Sequence, residues 1–291
     1  MIDTTTVAPK NKSNPKKLVK KIVSYFFLCL FALIFLFPIY CLLIKSVMPD
    51  HQLIQKPSLF PEYITFHPYL QVFTPEYLWY FKNTVIVCLA NILGVCFSAS
   101  FCAYGLAKVH FKGKNVVFTI ILSTILLPGV VTSIPLYLIY DKLHWTGTLL
   151  PLTLPIWFGG GAVNIFLVRQ FIKGIPNSFS EAAYIDGASS FTIYTHIIIP
   201  LIKPILVYLA VSTFIGQWND FQGPLLYVSN KQSSWTISLA LYKNFANAAN
   251  AKNLPNVQMA VGVLMMLPCV ILFGFFQKEL IEGVAASGIK A

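Results

Sequence analysis

Two polar stretches set among long apolar runs hold most of the reactive or ligand-seeking side chains of this sequence. The first, Pro176 to Pro204, reads PNSFSEAAYIDGASSFTIYTHIIIPLIKP. Ser178 followed three residues later by Glu181 is a capping-box pattern, in which the hydroxyl takes an orphan amide and the carboxylate reaches back to the cap. Glu181 also stands where a helix end is positive. Gly187, about two turns on, is placed to leave the helix in a left-handed conformation. A second short helix is predicted from about Ser189 to Ile199, before Pro200 and Pro204. A helix of two turns is unstable alone in water, so the first must lie against something. Small side chains at Ala182, Ala183 and Ala188 would let it sit deep in a groove, yet a capped connector resting on the chain's own helices fits the periodicity equally well.

The second stretch is Gln217-Trp218-Asn219-Asp220, an amide, an indole, a second amide and a carboxylate in a row. Other reactive constellations are missing. The five histidines, His51, His67, His110, His144 and His196, have no i, i+4 pair and suggest no metal site. Six cysteines, Cys29, Cys41, Cys88, Cys96, Cys102 and Cys269, lie in apolar runs without C-x-x-C spacing, which indicates apolar packing. There is no H-E-x-x-H or G-x-S-x-G. Gly113-Lys114 is followed by Asn115 and lacks the upstream glycine of a phosphate-binding loop, so no nucleotide site of the chain's own is expected.

What positions these stretches is a set of membrane spans. The 291 residues are 56% hydrophobic and only 11% charged, with a mean hydropathy of +0.70, which places the chain among integral membrane proteins. Ile22 to Ile44 carries no charge over 23 residues, enough to cross about 30 Å of hydrocarbon, and no small-x-small cleavage site closes it. Further spans are predicted at about 83–107, 115–140, 145–168, 204–229 and 256–277, the fifth shortened or broken near Gly216 and Asp220. Residues 45–81 read as a proline-dotted loop with a short interfacial helix near Tyr77 to Phe81, and 231–252 as a loop with a short amphipathic piece. The fold class expected is all-α and polytopic, with a basic tail 1–21, a polar loop 169–203 and a second tail 278–291.

The formal charge of +11 is distributed as topology and not as a nucleic-acid face, since the basic residues cluster at the ends of apolar runs. With six spans, fourteen of the 21 Lys and Arg lie on the side of the termini, including Lys108, Lys112, Lys114, Arg169, Lys173 and Lys203, and seven on the other. The positive-inside rule then puts both termini and the 169–203 loop in the cytoplasm.

The residues of the loop also carry a resemblance. Glu181-Ala182-Ala183, Asp186-Gly187-Ala188, Ile199-Pro200-Leu201 and Pro204 closely resemble the EAA motif of the membrane subunits of binding-protein-dependent ABC importers, in the loop before the penultimate span. Trp218-Asn219-Asp220-Phe221 with Pro224-Leu225, Asn83-Thr84 at the second span, and the Gly- and Ala-rich end from Gln277 to Ala291 look like the sugar-permease branch, similar to the second membrane subunit of the maltose transporter. Ser287 departs from the small apolar residue more usual there. The likeness covers most of residues 22–291. It implies a type I importer transmembrane fold in a prokaryotic cell membrane, carrying a carbohydrate. It also implies a second permease subunit, a dimeric ATPase that binds the ATP, and an extracellular solute-binding protein. On that basis Glu181 would pair with a cation on the ATPase, Ala182, Ala183 and Ala188 would allow close approach, and Asp186-Gly187 would set the turn.

Within a permease, Gln217, Trp218, Asn219 and Asp220 become candidates for a translocation path; the plainer role for Asp220 is an interfacial cap or a partner of Lys82 or Lys231. Gly159-Gly160-Gly161 reads as a place of close helix approach. The alternative class is an ion-coupled secondary transporter. It is disfavoured because five of the six spans contain no ionisable acid or base.

Overall fold

The computed structural model describes residues 15–55, 58–246 and 255–288. The expected tail residues 1–14, residues 56–57, residues 247–254, which include the end of the expected 231–252 loop, and the last residues 289–291 lie outside the described part. Among the described residues every regular element is helical.

Helix α1, Pro15–Ser46, leaves its apolar residues from Val19 to Tyr40 exposed, of its described side chains only Ser46 is buried, and it packs chiefly against the last helix. The hub is α2, Pro75–Ala107. It starts on Thr74, whose hydroxyl accepts the Tyr77 N–H at 3.5 Å, with Pro75 at the first position and Glu76 in the first turn. It buries small and aliphatic residues from Val95 to Leu106 against neighbours on several sides.

Residues 115–140, expected as one span, form two helices, α3, Lys114–Leu126, and α4, Gly129–Lys142, at 100° to one another. The break is at Leu127 and Pro128, both extended (ψ 114° and 132°), because a residue before proline is driven out of the helical region. The fourth span, Leu150–Lys173, is likewise interrupted, and its last part, Ala162–Lys173, is α5. Its broken turn is held by α2. Asn91 Nδ2 donates to Leu152 O at 2.7 Å and Ser98 Oγ to Ile156 O at 2.9 Å, satisfying carbonyls that hydrocarbon could not. Gly160 (φ +65°) lies against α2 so closely that an added Cβ would come within 2.7 Å of Ala99 Cβ, in agreement with the close approach expected there.

After α5 come α6, Ser178–Ile185, and α7, Ser190–Leu201, whose middle turn is a π-helix at Tyr194–Ile198. Helix α8, Lys203–Trp218, follows at 75° to α7, with Pro204 in its first turn; it is the shortened fifth span. Helix α9, Gln222–Tyr227, is short, and α10, Pro255–Gly288, antiparallel to α1, kinks at Phe276 (φ −116°). The expected tail from 278 therefore continues as helix to Gly288.

Residues 233–241, expected within a loop with a short amphipathic piece, contain the short helix Ile237–Leu241 and are packed into the bundle. Asn83 Nδ2 donates to Ser233 O and Trp235 O, both at 2.9 Å, and Thr84 Oγ1 accepts the Ile237 N–H at 2.9 Å. Ile237, Leu239 and Ala240 are fully buried. The sequence hides this because the segment is too short for either period to declare itself.

Candidate functional site

Helix α6 stands at the end of the bundle where α2 finishes and α5 ends. Its eight residues lie out on that end, with Ile185 87% exposed and Phe179 and Tyr184 half exposed. Gly187 has φ +79°, and the cap is a Schellman turn: Ala188 N–H donates to Ala183 O at 2.9 Å and Gly187 N–H to Tyr184 O at 3.1 Å. Glu181, Ala182, Asp186 and Gly187 are exposed, while Ala183 and Ala188 pack against the bundle's own core. The six residues are thus split. Four face outward, and two alanines expected on the outer surface hold the helix to its own chain.

The expected capping box is not formed. Ser178 is the first helical residue and Asn177 stands at the cap position in helical conformation without a side-chain cap, its carbonyl accepting the amides of Ser180 and Glu181. Starting one residue earlier than expected, the helix leaves Ser178 inside it, and the Asn177 side chain accepts from Lys108 Nζ at 2.7 Å, the same Nζ donating to Ile175 O at 2.6 Å. That side chain is committed elsewhere. Burial lowers the Lys108 pKa from the ordinary lysine value, and the nearby Glu181 carboxylate pushes it back up.

The far end of the loop is tied to the same helix. Tyr104 OH donates to Ser190 O at 3.0 Å, Ser100 Oγ and the Tyr194 hydroxyl share a hydrogen bond of 2.7 Å, and Ser190 Oγ meets the Tyr184 hydroxyl at 3.0 Å. Ser189 caps α7 by accepting the Thr192 N–H. Arg169 Nε donates to Leu106 O at 3.1 Å, with the guanidinium 3.7 Å from the centre of the Phe118 ring. These tethers, Tyr104, Lys108 and Tyr194, were not singled out by spacing. For Tyr104 and Lys108 the only signal was their position one helical turn apart at the end of a span, with a basic residue closing it; Tyr194, on α7, gave none.

The 217–220 stretch divides in a different way. Trp218 is 4% exposed, donates from Nε1 to Met265 O at 2.9 Å and stacks on Phe214, so its ring offers no face to a path. Asn219 is exposed and donates to Ile215 O at 2.8 Å and toward Cys269 Sγ. Gln217 is half-buried. Asp220 is a cap: its Oδ1 accepts the Gly223 N–H at 3.2 Å. Among the described residues it forms no ion pair with Lys82 or Lys231, and Lys82 instead lies over the Trp79 ring at 4.1 Å. No described cluster of His, Cys, Asp or Glu could hold a metal ion.

Comparison with known proteins accounts for this architecture. Residues 96–284 match the family described as "Binding-protein-dependent transport system inner membrane component". The arabinooligosaccharides transport system permease protein AraQ of Bacillus subtilis (strain 168) is 30% identical over 291 residues, covering 96% of this chain and 99% of that one. The probable starch degradation products transport system permease protein AmyC of Thermoanaerobacterium thermosulfurigenes is 29% identical, over 94% of this chain and 98% of its own length. Among solved structures, a bacterial ABC transporter involved in the import of the acidic polysaccharide alginate has a chain that superposes with a TM-score of 0.80 at 25% identity, covering 93% of this chain and 99% of that one. With the outlying helix α6, its glycine cap and the interrupted spans all in place, this chain belongs to the family of inner membrane components of binding-protein-dependent transport systems.

Proposed function

We propose that this permease subunit serves an ATP-driven importer of an oligosaccharide, and that α6 is the element a separate ATPase grips. The observation that carries the reading is the exposed, glycine-capped α6, tethered at both of its flanks to the hub helix α2. Ile185 is an exposed apolar side chain with Glu181 one turn before it on the same face of α6. A cleft of complementary shape with a cation near its rim would receive it. Asp186 and Gly187 then fix where the chain turns away, and Ala182 leaves room at the contact.

Transmission follows from the tethers. A displacement of α6 pulls Asn177 and Ile175 on one side and Ser190 on the other, and both pull on α2 through Lys108 and Tyr104. Because α2 packs along α5 and α8, the bundle would move as a body between two arrangements and not deform locally. ATP is bound and hydrolysed by a dimeric partner ATPase, and this chain needs no cofactor. A second permease subunit would cover the apolar flank of α1 and the angled pair α3 and α4 together with lipid, and an extracellular binding protein delivers the sugar to the other end. Both termini and α6 face the cytoplasm of a prokaryotic cell, following the excess of Lys and Arg at that end.

The carbohydrate assignment draws on the relatives, whose names refer to arabinooligosaccharides and starch degradation products. Reconstitution with the partner subunits and binding protein, tested for ATP-dependent uptake of mono- and oligosaccharides with ATP hydrolysis followed in parallel, checks the whole reading. Uptake that proceeds without the binding protein or without ATP would contradict it.

A further inference from the structure

A cavity of about 830 Å3 lies between α4 and α9, at the end of the bundle away from α6. Ligand pockets span about 300–1,000 Å3, so its size suits a small ligand or a short stretch of a chain-like one. Ser133 and Tyr137, one turn apart on one face of α4, line one wall. Asp220, Gln222, Gly223 and Tyr227 line the other. The rings of Tyr137 and Tyr227 lie within 15° of parallel with centres 6.4 Å apart. Tyr140 meets Tyr227 edge-on at 5.3 Å and stacks on Trp145, so the aromatic wall is supported from behind.

The fold uses only part of the polarity around this space. Asp220 Oδ1 takes the Gly223 N–H, and Ser133 Oγ donates to Val130 O at 2.7 Å. Asp220 Oδ2, the Gln222 amide and the hydroxyls of Tyr137 and Tyr227 make no hydrogen bond to another described residue. In a chain that spans a membrane, such groups are costly unless they face water or a polar ligand. Gly223 keeps the carboxylate on the wall, since a Cβ there would come within 2.5 Å of Asp220 Oδ2 and 3.2 Å of Leu152 Cδ2.

We propose that this cavity is a transit site for a neutral oligosaccharide, an assignment that rests on the sugar-importer function proposed above. The aromatic faces suit the C–H faces of sugar rings, and the amide and carboxylate suit hydroxyls that both donate and accept. A carboxylate with no cation paired to it among the described residues disfavours an acidic sugar by like charge. This moves the contact with sugar away from the buried Trp218 to residues one turn further on, and to α4, which carries no motif.

The test is uptake of radiolabelled arabinotriose, maltotriose and galactotriose by the complete reconstituted transporter, with Tyr137→Leu, Tyr137→Phe and Gln222→Leu. Tyr137→Leu and Gln222→Leu are expected to lower the uptake kcat/KM for the transported trisaccharide about three- to tenfold, the range of one lost hydrogen bond or stacking contact. Tyr137→Phe, which keeps the ring, should recover most of the Tyr137→Leu loss. If Tyr137→Leu fails to assemble, as judged by co-purification, Gln222→Leu decides, because its side chain is exposed. Wild-type uptake with both Leu variants within twofold of it would overturn the transit site alone. Absence of ATP- and binding-protein-dependent sugar uptake by the unaltered transporter would overturn the importer function and the site with it.

Discussion

Gly187→Val isolates the backbone of the α6 cap from everything else at that position. A Cβ at Gly187 would meet no atom within 4 Å, so the substitution introduces no clash; what it introduces is a β-branched residue at φ +79°. Holding such a residue in the left-handed region costs about 1–3 kcal/mol. An eight-residue helix is marginal by itself and depends on its cap and tethers. The cost therefore falls on the equilibrium constant for correctly capped α6, which should drop by a factor of about 5–140 at about 1.4 kcal/mol per tenfold. In proteoliposomes containing the full transporter, the ratio of sugar taken up to ATP hydrolysed should fall in proportion, while the permease still inserts. Gly187→Asn is the control, since asparagine tolerates the left-handed region, and it should retain most of the uptake. Equal uptake by the Val variant and wild type would refute the reasoning, and so would an Asn variant as impaired as Val.

Three further outcomes follow from the packing. Lys108→Met removes both hydrogen bonds to Ile175 and Asn177; at about 1.5–3 kcal/mol for a charge-assisted contact, it should uncouple hydrolysis from uptake, and combining it with Tyr104→Phe in a double-mutant cycle should give a coupling energy above about 0.5 kcal/mol if both act through α2. Asn91→Ala orphans the Leu152 carbonyl in the interrupted fourth span, so the detergent-solubilised permease should lose about 1–3 kcal/mol of stability, seen as a lower thermal midpoint by differential scanning fluorimetry. Trp218→Phe deletes the bond to Met265 O and should lower that midpoint too, with the order of preference among transported sugars unchanged; a changed order would return Trp218 to the path.

Much of this molecule could be read from apolar run lengths and charge counts, because hydrocarbon thickness and the positive-inside rule act on the chain locally. The existence of spans near 22–44, 83–107 and 256–277 rests on nothing else. Run length cannot show a break, which is why 115–140 looked continuous; Pro128-Gly129 was the local signal, and its effect depends on the extended backbone that proline imposes on Leu127. Gly187 was legible because a left-handed cap is a property of one residue. The capping box was not, because the helix begins one residue earlier than expected, at Ser178 itself, and the Asn177 side chain at the cap position is taken by Lys108, distant in sequence. Ala183 and Ala188 illustrate the same limit: a small residue permits close approach on either side of a helix, and only the packing shows that the near neighbour is the chain's own core. Trp218 looked like a ligand-facing ring for want of its partner Met265, again far along the chain.

The most direct measurement is photo-cross-linking from α6 in the assembled transporter. A benzophenone side chain at position 185, where Ile185 is 87% exposed, should give an adduct with the ATPase subunit, identified by mass spectrometry, and the yield should change when nucleotide is trapped. The same probe at Phe275, 79% exposed on α10, should give none with that subunit. An Ile185 adduct confined to lipid or to another permease chain would contradict the role assigned to α6.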